Sequence, residues 1–218
     1  MQDTLGQQAY HRLEEMIVTQ ELSPGAILSE VALGRRLGLG RTPIREALQR
    51  LERDGLVAIL PRRGVVVTEI NLAHHLKLLE VRRELERLVA RSAARRASPA
   101  QRQRMRDLAD EIAAAAAADD GLAFTRAGRE FHTLPVEAAD NGYAEAALGL
   151  LHGLSRRFWH AYYRDHAVLT EAAAVHVDRL QAIAAGDPEA AAAASDRVMD
   201  YLESFARSTL NFDTRRSA

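Results

Sequence analysis

The sequence predicts a mainly α protein with one short β-hairpin near its N-terminus, and three observations carry that reading. From residue 71 onward, apolar residues recur at helical spacing and strand signals are almost absent. Two β-rich runs, 56–60 and 65–68, flank the turn Pro61-Arg62-Arg63-Gly64. Ahead of them, residues 28–53 read as helix, tight turn, helix. The 218 residues allow one large or two modest domains, and 47% hydrophobic content supports a real core. The absence of cysteine excludes disulfides and thiolate chemistry and suits a reducing compartment. With no signal peptide and no apolar run long enough to span a bilayer, the expectation is a soluble, cytoplasmic protein without a membrane partner.

Taken in order, Ser29 is the predicted N-cap of a helix whose apolar run through Leu33 and Leu37 stops at Gly38 and Gly40. Thr42-Pro43 is expected to start the next helix, with Thr42 as N-cap and Pro43 at the first helical position. Ile44, Ala47, Leu48 and Leu51 share one face of that helix, leaving Arg41, Arg45 and Gln49 on the other side and at its N-terminal end. Asp54-Gly55 ends it, and the hairpin follows. From Arg35 to Arg63, eight arginines face three acids, in a chain whose formal net charge is −1.

This is the layout of a winged helix-turn-helix, three helices plus a β-hairpin wing, assigned to residues 1–70. Its second motif helix would read base edges in the major groove, where an arginine fork matches guanine O6 and N7. The two wing arginines would meet backbone or minor groove. The residues assigned to double-stranded DNA are Ser29, Arg35, Arg41, Thr42, Pro43, Arg45, Gln49, Arg62, Arg63 and Gly64. The bland alternative is a solvated basic face on an unrelated helical pair.

Residues 71–212 read as an all-α bundle of about six helices: 71–97, 98–118, 119–139, 143–165, 170–186 and 187–210. Ser98-Pro99, Asp119-Asp120, Thr170-Glu171 and Asp187-Pro188 supply starts, and Asn141-Gly142 a break. Alanine runs at 113–118 and 190–194 suit close helix packing. Residues 213–218 are set apart as a tail, with fraying expected from residue 211. The aromatic-rich stretch 156–163 is assigned mainly to core packing, and His74-His75 to a solvated or linker-facing pair with no metal role.

Gly40-Arg41-Thr42-Pro43-Ile44-Arg45-Glu46-Ala47-Leu48, with Arg50-Leu51-Glu52 and Asp54-Gly55-Leu56-Val57, resembles the signature of GntR-family bacterial transcription regulators. Leu22, Pro24-Gly25 and Leu28-Ser29-Glu30 fit the same pattern. Gly40 stands where that family usually has Ser or Thr. Gly34 stands where Ala is usual, a change expected to soften its helix by about 1 kcal/mol.

Downstream, Arg82-Arg83-Glu84-Leu85-Glu86, Glu130-Phe131-His132 with Ala138 and Asn141, and His176 followed by Ala182-Ile183, Gly186-Asp187 and Ala191 resemble the FCD domain of the FadR branch. The resemblance implies a small organic-acid effector, held in many such domains by a divalent metal (Zn, Ni or Mn) on an Asp and three His. Here His132 and His176 match ligand positions, whereas Gly128 takes the expected Asp position and Val198 that of the last His. Two imidazoles alone make a poor metal site. His152, His160 and Asp200 are the candidates for completing it, and a divalent metal (Zn, Ni or Mn) is the one cofactor the resemblance offers. The expected effector residues are Arg82, Gly128, His132 and His176, with His132 and His176 as the incomplete metal pair. For Arg82 the competing role is a surface ion pair with Glu86 at i, i+4. Gly128, costly inside a helix, suggests that an effector or water fills the gap.

The implied protein is no enzyme. It is a homodimeric, ligand-responsive regulator, most often a repressor, on a pseudo-palindromic operator. An architectural DNA-binding protein without effector and a histidine-based metallohydrolase are the alternatives from other classes.

Overall fold

Thr4 and Gln7 form a reciprocal capping box, and the chain enters its first helix, α1 (Leu5–Val18), behind it. The computed structural model describes residues 4–163 and 166–209; the expectations for 164–165 and from residue 210 onward, including the frayed tail, lie outside the described residues. After α1 come strand β1 (Ile27–Leu28), helices α2 (Glu30–Leu37) and α3 (Arg41–Arg53), and strands β2 (Val57–Leu60) and β3 (Gly64–Val67). The sheet is antiparallel in the order β1-β3-β2, with Ile27 opposite Val66 and Ala58 opposite Val66 on the other edge. Helices α4 (Leu72–Arg96), α5 (Pro99–Ala117), α6 (Gly121–Ala139), α7 (Gly142–Tyr162), α8 (His166–Ala185) and α9 (Pro188–Ser208) complete the described chain.

The chain divides into two compact units. The first holds residues through Asn71 together with Leu150–Tyr162; the second holds Leu72–Gly149 and the residues from Tyr163 onward. The sequence reading placed all of 71–212 in the helical domain. By backbone contacts, the C-terminal half of α7 groups with the winged unit, and its side chains show how. Arg157 Nη1 donates to Thr68 Oγ1 at 2.8 Å, and its Nη2 donates to the Thr68 carbonyl. Arg156 pairs with the buried Glu14 of α1, and Leu154 packs on the winged core.

That core is built from Leu13 and Ile17 of α1, Ile44, Leu48 and Leu51 of α3, and Leu56, Val65 and Val67 around the wing. Tyr10 locks α1 to α3: its hydroxyl donates to Asp54 at 2.6 Å, and the Arg50 guanidinium lies 3.9 Å over its ring. Burial, helped by the Asp54 bond, pushes the phenol proton affinity well up.

In the second unit, α4 packs along α9 and α6, α5 along α8 and α6, and α8 also against α9. The predicted caps at Ser98 and Asp187 are present. Ser98 forms a capping box with Gln101, and Asp187 accepts from the amides of Glu189 and Ala190 at 3.0 Å. One expected start was wrong. Thr170-Glu171 lies inside α8, which already runs from His166, and both residues are exposed there. Arg102 gathers the ends of α4 and α8 by donating to the carbonyls of Ala94, Ala97, Ile183 and Ala184.

Candidate functional site

The winged unit presents its basic residues as the helix-turn-helix geometry requires. Ser29 caps α2, its hydroxyl accepting from Ala32 N. Gly38 takes the left-handed conformation (φ 68°) that ends α2, and Leu39 N closes back on Gly34 O at 2.9 Å. A Cβ at residue 34 would stand 2.9 Å from the Leu39 carbonyl oxygen, so the glycine that softens the helix also lets this turn close. Arg12 of α1 donates to the Leu37 carbonyl at 2.9 Å, fixing the same corner.

The N-terminus of α3 departs from expectation. The cap is Gly40, without a side-chain bond, and the helix begins at Arg41 rather than behind Thr42. Gly40 is already extended (ψ 169°), so helical geometry begins two residues earlier. Pro43 then falls on the third helical position, whose N–H has no acceptor in the helix, and costs nothing. Arg41, Thr42, Arg45 and Gln49 are exposed along this end, and Arg35 is exposed on α2.

Arg45 is engaged. Its Nε and Nη2 donate to both carboxylate oxygens of Glu30, at 3.2 and 2.9 Å, lowering the proton affinity of that carboxyl. Arg36 likewise pairs with Glu21. Two of the eight arginines counted in the sequence are therefore matched by acids from outside the counted segment. At the wing tip Arg62 has positive φ (63°), Arg63 N donates to Leu60 O, and Arg62, Arg63 and Gly64 are all exposed.

The helical unit hides a second constellation. On α4, Leu79, Arg82, Glu86, Val89 and Ala93 form one buried stripe with two charges in it. Arg82 pairs with Glu86 as the i, i+4 spacing suggests, but buried (1% and 2% exposed) rather than on the surface. Its Nε and Nη2 donate to Glu86 Oε1 at 3.0 and 2.9 Å, and Nη2 lies 3.4 Å from His132 Nδ1. From α8, Arg179, equally buried, donates through Nη1 to Glu86 Oε2 at 2.9 Å and through Nη2 to the Phe131 carbonyl at 2.8 Å.

That carbonyl is available for a reason written in the sequence. Pro135 lies inside α6, four residues after Phe131, and has no N–H to give it. Arg179 takes the donor role that a helix amide would have filled. Burial lowers the proton affinity of Arg179, while Glu86 acts to raise it.

The structure brings His132 and His176 together, with ring centroids 5.6 Å apart and nearly perpendicular. The Phe131 ring lies against both, at 4.6 Å from His132 and 4.1 Å from His176. Gly128 lies one turn before His132 on α6, and a Cβ there would meet only the Phe131 ring, at 3.8 Å. Among the described residues, nothing demands a glycine at that point.

The expected metal set does not assemble. Gly128 and the fully buried Val198 offer no donor, and Asp200 is exposed and paired with Arg83 at 2.7 Å. Glu86, the anionic donor nearest to hand, has both oxygens engaged by guanidiniums. Two of the four family positions therefore lack a donor, and His132 and His176 remain an incomplete pair.

Sequence reasoning missed Arg179, the residue that joins α8 to Glu86. A lone arginine on a helix reads as solvent-facing. Only Pro135, four residues beyond Phe131, signalled a carbonyl in need of a donor. His75, taken as solvated, is buried on α4, and burial together with the positive charge of Arg82 drives its pKa down to about 4. The aromatic stretch behaves as core where Phe158 is buried and packs on Tyr162, centroids 4.7 Å apart.

Comparisons with known proteins match two successive stretches of the chain. Residues 5–67 match the gntR family of bacterial regulatory proteins and residues 77–201 match the FCD domain. The chain is 33% identical over 134 residues to an HTH-type transcriptional regulator from the TAR-I ttuE-ttuC′ intergenic region of Agrobacterium vitis, covering 60% of this chain and 78% of that protein. It is 38% identical over 90 residues to the HTH-type transcriptional repressor RspR of Escherichia coli, covering 41% of this chain and 40% of that one. Among solved structures, Escherichia coli McbR/YncC shares the fold at TM-score 0.82 and 21% identity, covering 96% of this chain and all of that one. A GntR regulator from Rhodococcus sp. RHA1 superposes at TM-score 0.70 with 26% identity, covering 94% and 97%. With an arginine-tipped wing on one unit and a helical bundle as the other, the chain belongs to the gntR family of bacterial regulatory proteins and carries an FCD domain.

Proposed function

We propose that the protein is a ligand-responsive repressor that binds a pseudo-palindromic operator as a homodimer and is controlled by a small organic acid held in the FCD unit. The observation that carries the reading is the buried cluster of Arg82, Glu86 and Arg179 beside His132 and His176. Burying three charged side chains is expensive, and a helical bundle serving only as a dimerisation block has no need of them. Repression is supported by relatives: RspR is named a repressor, as is the probable D-xylose utilization operon repressor of Paenarthrobacter nicotinovorans, 28% identical over 198 residues. Effector binding and operator binding would then be coupled, each changing the affinity of the other by the same factor.

On the DNA side, Arg45 gives up Glu30 when its fork turns to a base, so Glu30 holds the reading residue in place until the groove arrives. The test is operator binding by the full chain, with and without a panel of small carboxylic acids. Arg45→Ala should lose discrimination between the operator and its single-base variants, by about 1–3 kcal/mol. Unchanged discrimination would refute the assignment of α3 as reader. If no acid shifts either stability or operator affinity, the protein is an architectural DNA binder instead.

A further inference from the structure

We infer that Glu30 is a second base-reading residue: once Arg45 has turned to a guanine, the Glu30 carboxylate accepts a hydrogen bond from the 4-amino group of the cytosine paired with it. The inference rests on α3 as the DNA reader and deepens that reading by naming the base edge that Arg45 and Glu30 fit together.

Of the four acids between residues 28 and 64, three are committed elsewhere in the winged unit. Asp54 accepts from the Tyr10 hydroxyl, and Glu52 accepts from Ile59 N at 3.1 Å. Glu46 lies against Gly6 of α1, where a Cβ would stand 2.6 Å from its Oε2. Glu30 is the acid bonded to the reading end of α3, through Nε and Nη2 of Arg45.

Its place and its charge are both fixed. Ser29 caps α2, so Glu30 is the first helical residue, where the helix dipole favours an anion. The Arg45 bond, helped by the charge of Arg41, holds its carboxyl below the usual carboxylate range. An ionised carboxylate can only accept hydrogen bonds.

The major groove then decides what it accepts from. Guanine and thymine present acceptors there, which leave an anion unpaired. Adenine and cytosine present an amino donor, but adenine sets the N7 acceptor beside it and cytosine does not. Cytosine is therefore the base a carboxylate selects. Guanine O6 and cytosine N4 are one hydrogen bond apart within their pair, and the Glu30 oxygens stand 3.2 and 2.9 Å from the Arg45 nitrogens. Fork and carboxylate thus set donors beside an acceptor, the complement of the acceptors and the donor along one G·C edge.

Nothing has to unpack for this to happen. The Arg45 side chain is 61% exposed and that of Glu30 31%, and an ion pair so exposed costs little to open. On a duplex without the matching pair, the two side chains satisfy each other and offer the phosphates no net charge.

The experiment begins with the full chain selecting its preferred sites from a pool of randomised duplexes. Each guanine of the selected half-site is replaced in turn by 7-deazaguanine. The guanine whose replacement weakens wild type but not Arg45→Ala is the Arg45 contact. Its partner cytosine is then replaced by 2-pyrimidinone, which lacks the 4-amino group and leaves the guanine in place. Wild type should lose about 10–150-fold in affinity at fixed salt, the worth of a hydrogen bond to a charged group. Glu30→Ala should bind the modified and unmodified sites equally while staying sensitive to 7-deazaguanine.

Should that variant not fold, Glu30→Gln takes its place; it keeps an acceptor oxygen without the charge, and its loss should be smaller than that of wild type. No loss by wild type on the 2-pyrimidinone site, or an equal loss by wild type and either Glu30 variant, overturns the inference and leaves Arg45 a reader. If Arg45→Ala keeps wild-type sensitivity at every guanine, α3 is not the reader, and the inference falls with it.

Discussion

Burial decides the chemistry of single residues in this chain more than their type does. His75 is held neutral, with a pKa near 4, because α4 carries it out of water and places Arg82 nearby. An unfolded histidine titrates near 6.5, so the folded state binds fewer protons than the unfolded state between these values. The stabilisation is fully present above about pH 6.5 and is lost as pH falls toward 4, by up to roughly 3 kcal/mol. His75→Gln should therefore flatten stability against pH in this window, measured by urea unfolding at pH 7 and pH 4.5. Parallel curves for the two proteins would place the histidine in water.

Gly128 is a second case. A Cβ has room there, so Gly128→Ala should raise the Tm of the ligand-free protein by about 2–4 °C through helix propensity alone. It should also reduce the response to any organic acid that stabilises wild type. A lower Tm would mean that the space beside Phe131 is smaller than it looks.

At the scale of elements, the wing and the helix caps show what a sequence can and cannot tell. Ser29, Ser98-Pro99 and Asp187-Pro188 were readable because capping is local: a hydroxyl or carboxylate serves amides two or three residues ahead. The start of α8 was not, since Thr170-Glu171 resembles a cap yet lies within a helix held by packing. His132, His176 and Arg82 could be picked out by their spacing within a recognised motif. Arg179 could not, because its role depends on a carbonyl freed by a proline on another helix.

The wing supplies the prediction at this scale. Arg62 adopts a left-handed backbone conformation that costs a non-glycine residue about 1 kcal/mol. Arg62→Gly should relieve that cost and raise the Tm slightly. Binding to unrelated duplexes should weaken and its salt dependence should flatten, because a phosphate-neutralising charge is gone. If the Tm falls and binding is unchanged, the arginine serves the hairpin and not DNA.

For the whole molecule, the central fact is that the winged unit is discontinuous in sequence: α7 leaves the helical unit and ends within the other. Arg157 is the tie. It is buried, its Nε is without an acceptor among the described residues, and its terminal nitrogens hold Thr68 just after β3. Arg157→Met should cost about 1–3 kcal/mol. Hydrogen exchange should speed up at the amides of 64–68 and 150–162 while those of α5 stay protected. Equal acceleration in α5 would mean that the tie supports the whole chain and not one unit.

This discontinuity bears on how the protein is made. A ribosome releases the residues through Asn71 first, but the winged unit lacks its last helical segment until Tyr162 has followed, about 90 residues later. At roughly 5–20 residues per second that is a delay of about 5–18 s. Until then the unit lacks Arg157 against Thr68 and Leu154 on its core. A nascent chain therefore gains these contacts only after α4, α5 and α6, the helices that carry Arg82, Glu86 and His132, have emerged.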